Sequence, residues 1–348
     1  MDLVKDLVIP VVKIAVIINV MLVSVAILVW AERRVSAFIQ DRLGPNRVGP
    51  FGLLQSVADL LKFVFKEDVI PGHVNKPFFV LAPVLSVVPP LVTIAVVPFA
   101  ANLMIADLDT GILFVFAISS LGVYGMTLGG WASNSKYSLI GGVRASAQMV
   151  SYEICLGLSV VGIFLLAKTL NMNEIVRMQS DGLWLFGNHY DAVWAKFLDW
   201  NIVKQPLAFL IFMIAGFAET NRLPFDFPEA EQELAAGFHT EYSSMKFALF
   251  FLGEYAAMFT ISAITVTLFL GGWSLFGLEN LGGSFQWITQ VLIFSGKLFA
   301  LLFFFIWVRW TLPRFRYDQL MRLGWQVFLP LALVNVVLTA VLKVIFQV

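Results

Sequence analysis

Residues 245–272 read MKFALFFLGEYAAMFTISAITVTLFLGG, and this stretch decides the fold class. Beyond Lys246 it carries a single ionisable acid, Glu254, in a run of apolar and small residues. A helix that crosses the hydrocarbon core of a bilayer needs about 20 mainly apolar residues. The stretch therefore predicts a transmembrane helix that holds a carboxyl group inside the membrane.

The rest of the chain repeats this pattern. Of its 348 residues, 59% are hydrophobic and 13% are charged, whereas a soluble protein carries roughly 25% charged residues. We predict an all-α integral membrane protein, with residues 1–348 as a single domain and eight transmembrane helices. The predicted spans lie at about 8–31, 78–100, 111–132, 145–168, 203–221, 246–271, 286–310 and 326–347.

The loops predict the orientation of the chain. Lysine and arginine are concentrated in loops 32–77 and 311–325, and the connections 101–110 and 272–285 carry neither. Because cytoplasmic loops are rich in these residues, both termini are expected outside. The outer loop at about 169–202, between the fourth and fifth spans, is expected on the same side. In the first cytoplasmic loop, FGLLQSVADLLKFVFK has apolar residues at helical spacing, which predicts an interfacial amphipathic helix at about 51–66.

Several classes of protein are excluded by residues that the sequence lacks. Its one cysteine, Cys155, lies in an apolar run, so a disulfide scaffold or a cysteine-rich metal site is not expected. No histidine falls in a predicted span, and there is no CxxC, GxGxxG or P-loop motif. We expect this chain to bind no metal and no redox cofactor. Its zero net charge gives no reason to expect nucleic acid as a partner.

Four ionisable residues stand out within the predicted spans: Glu153, Glu219, Glu254 and Lys297. A charged side chain at the bilayer centre costs about 2.5–3.5 kcal/mol on insertion scales and marks a functional position by default. The alternative is structural pairing, for instance of Glu254 with Lys297. Three glutamates cannot all be neutralised by one lysine, so we favour a path for protons. Arg144, Gln148 and Tyr152, spaced four apart, predict a polar stripe that points into the bundle.

The segment before the opening stretch is acidic. Residues 218–242, AETNRLPFDFPEAEQELAAGFHTEY, carry six carboxylates against Arg222, in a cytoplasmic loop at about 222–245 where basic residues are usual. A capping box of Asp226 and Glu229 would explain two of them. The others suggest a funnel of acid that leads into the membrane. A docking patch for basic segments of a partner is the alternative.

Four motifs, in order along the chain, carry a resemblance to a known family. They are AERRVSAFIQDRLGPNRVGPFGLLQSVADLLKFVFKE, RASAQMVSYE, ETNRLPFDFPEAEQELAAGFHTEYSSMKFALFFLGEY and PRFRYDQLMRLGW. Together they resemble the NuoH-type quinone-chamber membrane subunit of respiratory complex I, the proton-translocating NADH:quinone oxidoreductase. The resemblance implies a tilted helical bundle in the cell inner membrane (the mitochondrial inner membrane in a eukaryote).

The same resemblance implies the substrate and the partners. Quinone is the substrate, and FMN and iron–sulfur clusters belong to partner subunits. The partners are the hydrophilic quinone-reducing and iron–sulfur subunits, adjacent small membrane subunits and lipid.

The resemblance also implies roles for individual residues. Those expected to line the quinone chamber are Glu32, Arg33, Arg42, Asp59, Arg222 and Asp226, with Phe225 as an apolar wall beside Asp226. Those expected to form the proton path are Glu229, Glu231, Glu233 and Glu241 in the loop, then Glu219, Glu153 and Glu254. To this path the residues themselves add Arg144, Tyr152 and Lys297. The turn GPNRVGP is expected to contact the hydrophilic arm through Gly44, Pro45, Asn46, Arg47, Gly49 and Pro50.

Three alternatives remain open at this point. The chain could be the homologous membrane subunit of a membrane-bound hydrogenase, or a passive anchor for a soluble dehydrogenase. A stand-alone antiporter is the third, but such proteins are typically built from internal repeats with broken helices, and the sequence has no repeat of this kind.

Overall fold

A computed structural model describes residues 8–185, 188–190, 193–227, 236–280 and 283–346. Within these ranges, seven helical stretches are long and apolar enough to cross a membrane: Ile9–Ile39, Lys76–Val96, Gly111–Ala132, Lys136–Ala167, Ser244–Phe269, Gln286–Thr311 and Tyr317–Ile345. The eighth predicted span, at 203–221, is the shorter apolar helix Pro206–Glu219. The predicted all-α membrane architecture is therefore confirmed.

The elements follow in chain order. The helices are α1 Ile9–Ile39, α2 Gln55–Phe65, α3 Lys76–Thr93, α4 Gly111–Ser119, α5 Leu121–Ala132, α6 Lys136–Ala167, α7 Met172–Ser180, α8 Val193–Asp199, α9 Asn201–Lys204, α10 Pro206–Glu219, α11 Ser244–Phe269, α12 Gln286–Thr311, α13 Tyr317–Arg322 and α14 Leu329–Phe346. In the outer loop, β1 Leu183–Leu185 pairs antiparallel with β2 Asn188–Tyr190. The sequence did not predict this small hairpin.

Helix α10 is shorter than its predicted span. Its 14 residues extend about 21 Å, less than the roughly 30 Å of a hydrocarbon core. Pro206 begins the helix at a position where its missing N–H is not needed. Asn221 follows the other end in the left-handed region, with φ of 51°, which asparagine tolerates better than most residues. One face of α10 is fully enclosed by protein, as shown by buried Ala208, Ile211 and Phe212.

Two other helices run past their predicted ends. Helix α1 continues to Ile39 instead of residue 31, so Glu32 and Arg33 lie on the helix itself. Helix α6 begins at Lys136 instead of residue 145. Hydropathy marks only the part of a helix that lies in hydrocarbon, and both helices continue beyond it. Glu32, Arg33 and Arg144 are therefore held by regular helix.

The helix predicted at about 51–66 is present as α2, Gln55–Phe65, a little shorter than predicted. None of its residues is buried by the protein, and its apolar residues Leu61, Val64 and Phe65 are exposed. Helix α2 contacts α1 and α11. An exposed apolar face beside two transmembrane helices is suited to the bilayer interface.

The core of the bundle is built by α6, α10 and α11. Tyr152, Phe212 and Phe269, one from each helix, are among the largest fully buried side chains. By contrast, α1 and α14 expose apolar residues such as Val20 and Val337. Exposed apolar surface of this kind is stable where the surrounding solvent is lipid. The polar side chains of the candidate site lie inside this apolar surface.

Candidate functional site

Arg222 is the centre of a buried group of charges. It follows the end of α10, where the backbone N–H of Thr220 donates to the Gly216 carbonyl and that of Arg222 to the Phe217 carbonyl. This turn directs the arginine back into the bundle, where its side chain is 5% exposed. A buried guanidinium is tolerated only when it is paired.

The partners of Arg222 come from two transmembrane helices. Its Nε lies 2.8 Å from Oε1 of Glu254 on α11, and its Nη1 lies 3.5 Å from Oε1 of Glu32 on α1. The guanidinium also stacks on the ring of Tyr255, 4.1 Å from the ring centroid. Arg309, near the end of α12, donates to the same Glu32 oxygen. We call Glu32, Arg222, Glu254 and Arg309 the ionic cluster; it holds two acids and two bases from four elements.

A further ion pair and a ring contact involve the residues that follow Arg222. Arg314 Nη2 donates to Asp226 Oδ2 at 2.8 Å. Phe225 stacks on Phe315, with ring centroids 5.6 Å apart and planes 12° apart. These contacts join the segment after α10 to the segment between α12 and α13. Separately, Arg33 on α1 pairs with Asp59 on α2, which holds the interfacial helix beside the site.

The polar stripe predicted on α6 points into the bundle. Gln148 and Tyr152 are fully buried. The Gln148 Nε2 group donates to the carbonyls of Ala218 and Phe225, both at 2.8 Å, and the Tyr152 hydroxyl donates to the Leu320 carbonyl at 2.9 Å. Arg144 stacks on the ring of Tyr317 at 4.8 Å. Gln148 therefore holds the segment that follows α10, and Tyr152 and Arg144 hold α13.

The three membrane glutamates line one cavity, which we call the acidic cavity. Glu153 of α6, Glu219 of α10 and Glu254 of α11 all contribute to its wall. The remainder of the wall is mainly apolar, with side chains such as Pro89 and Phe212. Among the described residues, Oε2 of Glu219 is a buried oxygen without a hydrogen-bond partner. A buried carboxylate oxygen of this kind requires a hydrogen-bond donor, such as a water molecule, or protonation of the carboxyl group itself.

Lys297 lies apart from these residues. Its ammonium donates to the carbonyls of Leu270 at 2.6 Å, Gly272 at 3.0 Å and Ser274, and it lies 4.4 Å from the ring centroid of Trp200. It therefore caps the C-terminal end of α11, 16 residues or about 24 Å along the helix from Glu254. The alternative in which Glu254 pairs with Lys297 is wrong, because Glu254 pairs with Arg222.

The turn expected to contact the hydrophilic arm folds against α1. Arg34 donates to the Pro45 carbonyl at 2.9 Å, and the Trp30 indole donates to the Phe51 carbonyl at 3.1 Å. Gly52 adopts φ of 77°, and a Cβ there would lie 2.3 Å from the Pro45 oxygen. Residues 46–50 are exposed, so the turn is stiff at its base and open at its tip.

Some residues expected in the site lie away from the ionic cluster, and others lie outside the described residues. Arg42 is exposed beyond the end of α1, where its Nε donates to Gln40 at 2.7 Å. Glu241 is half-buried between the turn Gly237–His239 and α11. Glu229, Glu231 and Glu233 lie outside the described residues, as does the capping box proposed for Asp226 with Glu229.

Sequence reasoning missed three members of the site. Arg309, Tyr255 and Phe315 were not singled out, although all three contact predicted site residues. A basic residue in the last turn of an apolar helix usually indicates only the cytoplasmic boundary, so Arg309 gave no distinct signal. Phe315 stands inside the fourth motif, PRFRYDQLMRLGW.

Comparison with known proteins identifies the family of the chain. The sequence model of the family described as NADH dehydrogenase matches residues 12–340. The chain belongs to the NADH dehydrogenase family. Within it, the chain is 49% identical to an NADH-quinone oxidoreductase subunit of Koribacter versatilis, with 96% of each chain covered. It is 51% identical to an NADH-quinone oxidoreductase subunit of Salinibacter ruber, with 95% of this chain and 94% of the relative covered. It is also 48% identical to NADH-quinone oxidoreductase subunit 8 of Rhodothermus marinus, with 95% of this chain and 96% of the relative covered.

Proposed function

We propose that this NADH dehydrogenase family member is the membrane subunit of a proton-translocating NADH:quinone oxidoreductase. It would form the quinone chamber together with the hydrophilic arm and couple quinone reduction to proton movement. The observation that carries this proposal is the double position of Glu254. The same carboxylate pairs with Arg222 in the ionic cluster and lines the acidic cavity with Glu153 and Glu219.

The chemistry of quinone reduction supplies the signal. Each quinone takes up two electrons and two protons to become quinol, and the protons must come from groups at or near the chamber. Loss of a proton there leaves an added negative charge beside the ionic cluster. Arg222 responds because its guanidinium is shared between Glu32 and Glu254, and a shift toward one acid weakens its hold on the other.

The acidic cavity transmits this change into the membrane. When Arg222 moves away from Glu254, the Glu254 carboxylate loses its positive partner and takes up a proton. Glu219 and Glu153 face the same cavity, so proton exchange among the three carboxyl groups follows without any large backbone motion. The mainly apolar wall of the cavity prevents these protons from being lost to bulk water.

The surroundings of the site indicate where partners bind. The exposed tip at residues 46–50 and the segment around Asp226 lie on the inner side, where the hydrophilic quinone-reducing and iron–sulfur subunits would dock. Those subunits would hold FMN and the iron–sulfur clusters. Small membrane subunits and lipid would cover the apolar faces, in the cell inner membrane, with both termini outside.

Replacement of Glu254 in the assembled complex tests the proposal. Glu254→Gln keeps the shape of the side chain but removes its charge, so we expect fewer protons translocated per quinone reduced in proteoliposomes. Glu174→Gln is the matched control, because Glu174 is exposed on the outer side at the start of α7. A passive anchor predicts no change for either variant, and an unchanged ratio in an assembled Glu254→Gln complex would rule out the coupling role.

Native purification tests the remaining alternative. A complex I subunit co-purifies with flavin-containing NADH-oxidising chains, and the preparation reduces quinone with NADH. A hydrogenase subunit would instead co-purify with a nickel–iron chain. Recovery of that chain, without NADH:quinone activity, would overturn the proposal.

A further inference from the structure

Helix α3 contains three prolines in its interior, Pro83, Pro89 and Pro90, besides Pro77 in its first turn. In an α-helix the N–H of each residue donates to the carbonyl four residues earlier, and proline has no N–H. The carbonyl of Ser86 is affected most. Its α-helical donor would be residue 90 and its 3₁₀ donor would be residue 89, and both are proline. The Pro89–Pro90 pair therefore removes both regular donors from this one oxygen.

The neighbouring carbonyls have hydroxyl donors. The Thr93 hydroxyl lies 3.0 Å from the Pro89 oxygen and 3.1 Å from the Pro90 oxygen. The Thr260 hydroxyl of α11 donates to the Pro90 oxygen at 3.2 Å. Side chains thus satisfy the end of α3. The hydroxyl of Ser86 itself points back toward the Ala82 carbonyl, 3.4 Å away, and so does not serve its own carbonyl.

Two glycines let the backbones of α5 and α11 pack closely against Ser86. A Cβ on Gly253 of α11 would lie 2.8 Å from the Ser86 carbonyl oxygen, and a Cβ on Gly125 of α5 would lie 2.3 Å from the Ser86 hydroxyl oxygen. Any larger residue at either position would press on Ser86. The three helices therefore meet here with the backbone of α3 uncovered by side chains.

Ser86 also belongs to the wall of the acidic cavity. Ser86, Pro89 and Pro90 line it together with Gly253 and Glu254. The carbonyl that lost its helical donors thus lies beside the residue that precedes Glu254. In a membrane, a freed carbonyl must be satisfied by a side chain or by water. A cavity that also holds three carboxyl groups offers a bound water further polar partners.

We propose that the Ser86 carbonyl, freed by the Pro89–Pro90 pair, binds water in the acidic cavity, and that this water passes protons between Glu254 and the carboxyl groups of Glu219 and Glu153. The inference rests on the proposed function and names a positioning element for it. Pro90 acts through the carbonyl that it frees, and Gly253 acts by placing no Cβ against that oxygen. No atom of α3 changes its own protonation state; the proton moves along the water.

Pro90→Ala is the direct test, because alanine restores an N–H that can bond the Ser86 carbonyl. Pro83→Ala is the matched control on the same helix; it restores a donor for the Phe79 carbonyl, and neither Pro83 nor Phe79 lines the acidic cavity. In the assembled complex we expect Pro90→Ala to lower the protons translocated per quinone reduced, with Pro83→Ala retaining the native ratio. Equal ratios in the two variants would overturn the proposal.

A second pair of variants covers the case in which Pro90→Ala does not assemble. Gly253→Ala places a methyl group against the Ser86 oxygen and is expected to lower the same ratio. Gly157→Ala on α6 is its control, because a Cβ there meets nothing within 4 Å. A native ratio in Gly253→Ala would count against the proposal as directly as a native ratio in Pro90→Ala.

A structural readout separates this inference from the proposed function. A high-resolution cryo-electron microscopy map of the native complex should show water at about 2.7–3.2 Å from the Ser86 oxygen. A protein donor on that oxygen, with no water, would overturn the inference even if Glu254→Gln abolished coupling. If Glu254→Gln leaves coupling intact, the proposed function itself fails.

Discussion

Arg222 and Glu254 form an ion pair inside the bundle, with Nε and Oε1 2.8 Å apart, although one follows α10 and the other lies within α11. The pair connects the segment that faces the hydrophilic side to a carboxylate in the wall of the acidic cavity. Because Arg222 also contacts Glu32, a change of charge beside Glu32 can reach Glu254 through one side chain.

Removal of the Arg222 charge should destabilise the protein strongly. Arg222→Gln leaves Glu254 without its positive partner, and breaking one side of a buried ion pair costs roughly 3–5 kcal/mol. We expect less assembled complex and a lower thermal unfolding midpoint. The matched control is Arg316→Gln, because Arg316 pairs with Asp318 at 3.2 Å with 79% of its side chain exposed, and such surface pairs contribute little.

A double replacement separates charge from packing at the same place. Arg222→Met combined with Glu254→Met removes both charges, so no uncompensated ion remains in the interior. We expect the double variant to be more stable than Arg222→Gln alone, since apolar replacement of a whole buried pair is often neutral. Equal or greater loss of stability in the double variant would show that the ionic interaction is not what holds this region.

Lys297 provides a test of two roles that the sequence could not separate. If Lys297 serves as a cap on α11, Lys297→Met should leave the carbonyls of Leu270, Gly272 and Ser274 unsatisfied. Amide hydrogen exchange around residues 266–274 should then become faster. The translocated protons per quinone should then stay at the native value. If Lys297 instead belongs to the proton path, as its position in an apolar span predicted, the ratio falls while exchange is unchanged.

The stiffness of the first inner turn should matter for attachment of the hydrophilic arm. Gly52→Ala adds a Cβ that would lie 2.3 Å from the Pro45 oxygen, at a left-handed φ, and strained backbone of this kind costs on the order of 1–3 kcal/mol. We expect a smaller fraction of complexes to retain the arm on gel filtration. Gly72→Ala, in the same loop but with nothing within 4 Å, should match the native protein.

Much of the architecture could be predicted from the sequence, because a bilayer imposes length and polarity on every span. The interfacial helix and the inward polar stripe of α6 were predicted for the same reason: their apolar and polar residues follow a helical period. The short α10 was not predicted, since the turn at Asn221 that ends it is a local backbone feature with a weak sequence signal.

The pairing of charges was harder to predict than their burial. The sequence indicates that Glu254 needs a partner, and Lys297 was the candidate because it also lies within an apolar span. That reasoning fails because α11 and α12 are offset along their axes, so that Lys297 meets the end of α11 at Leu270. The partner of Glu254 is Arg222, which lies in a segment whose path depends on the whole bundle.

The most direct test of the account is the infrared difference spectrum of the assembled complex, recorded before and after quinone reduction. The account predicts a band from a protonated carboxyl group that changes on reduction, shifts in heavy water and is lost in Glu219→Gln but not in Glu174→Gln. A spectrum without a carboxyl band, or with a band that persists in Glu219→Gln, Glu153→Gln and Glu254→Gln alike, would contradict the claim that protons exchange among the glutamates of the acidic cavity.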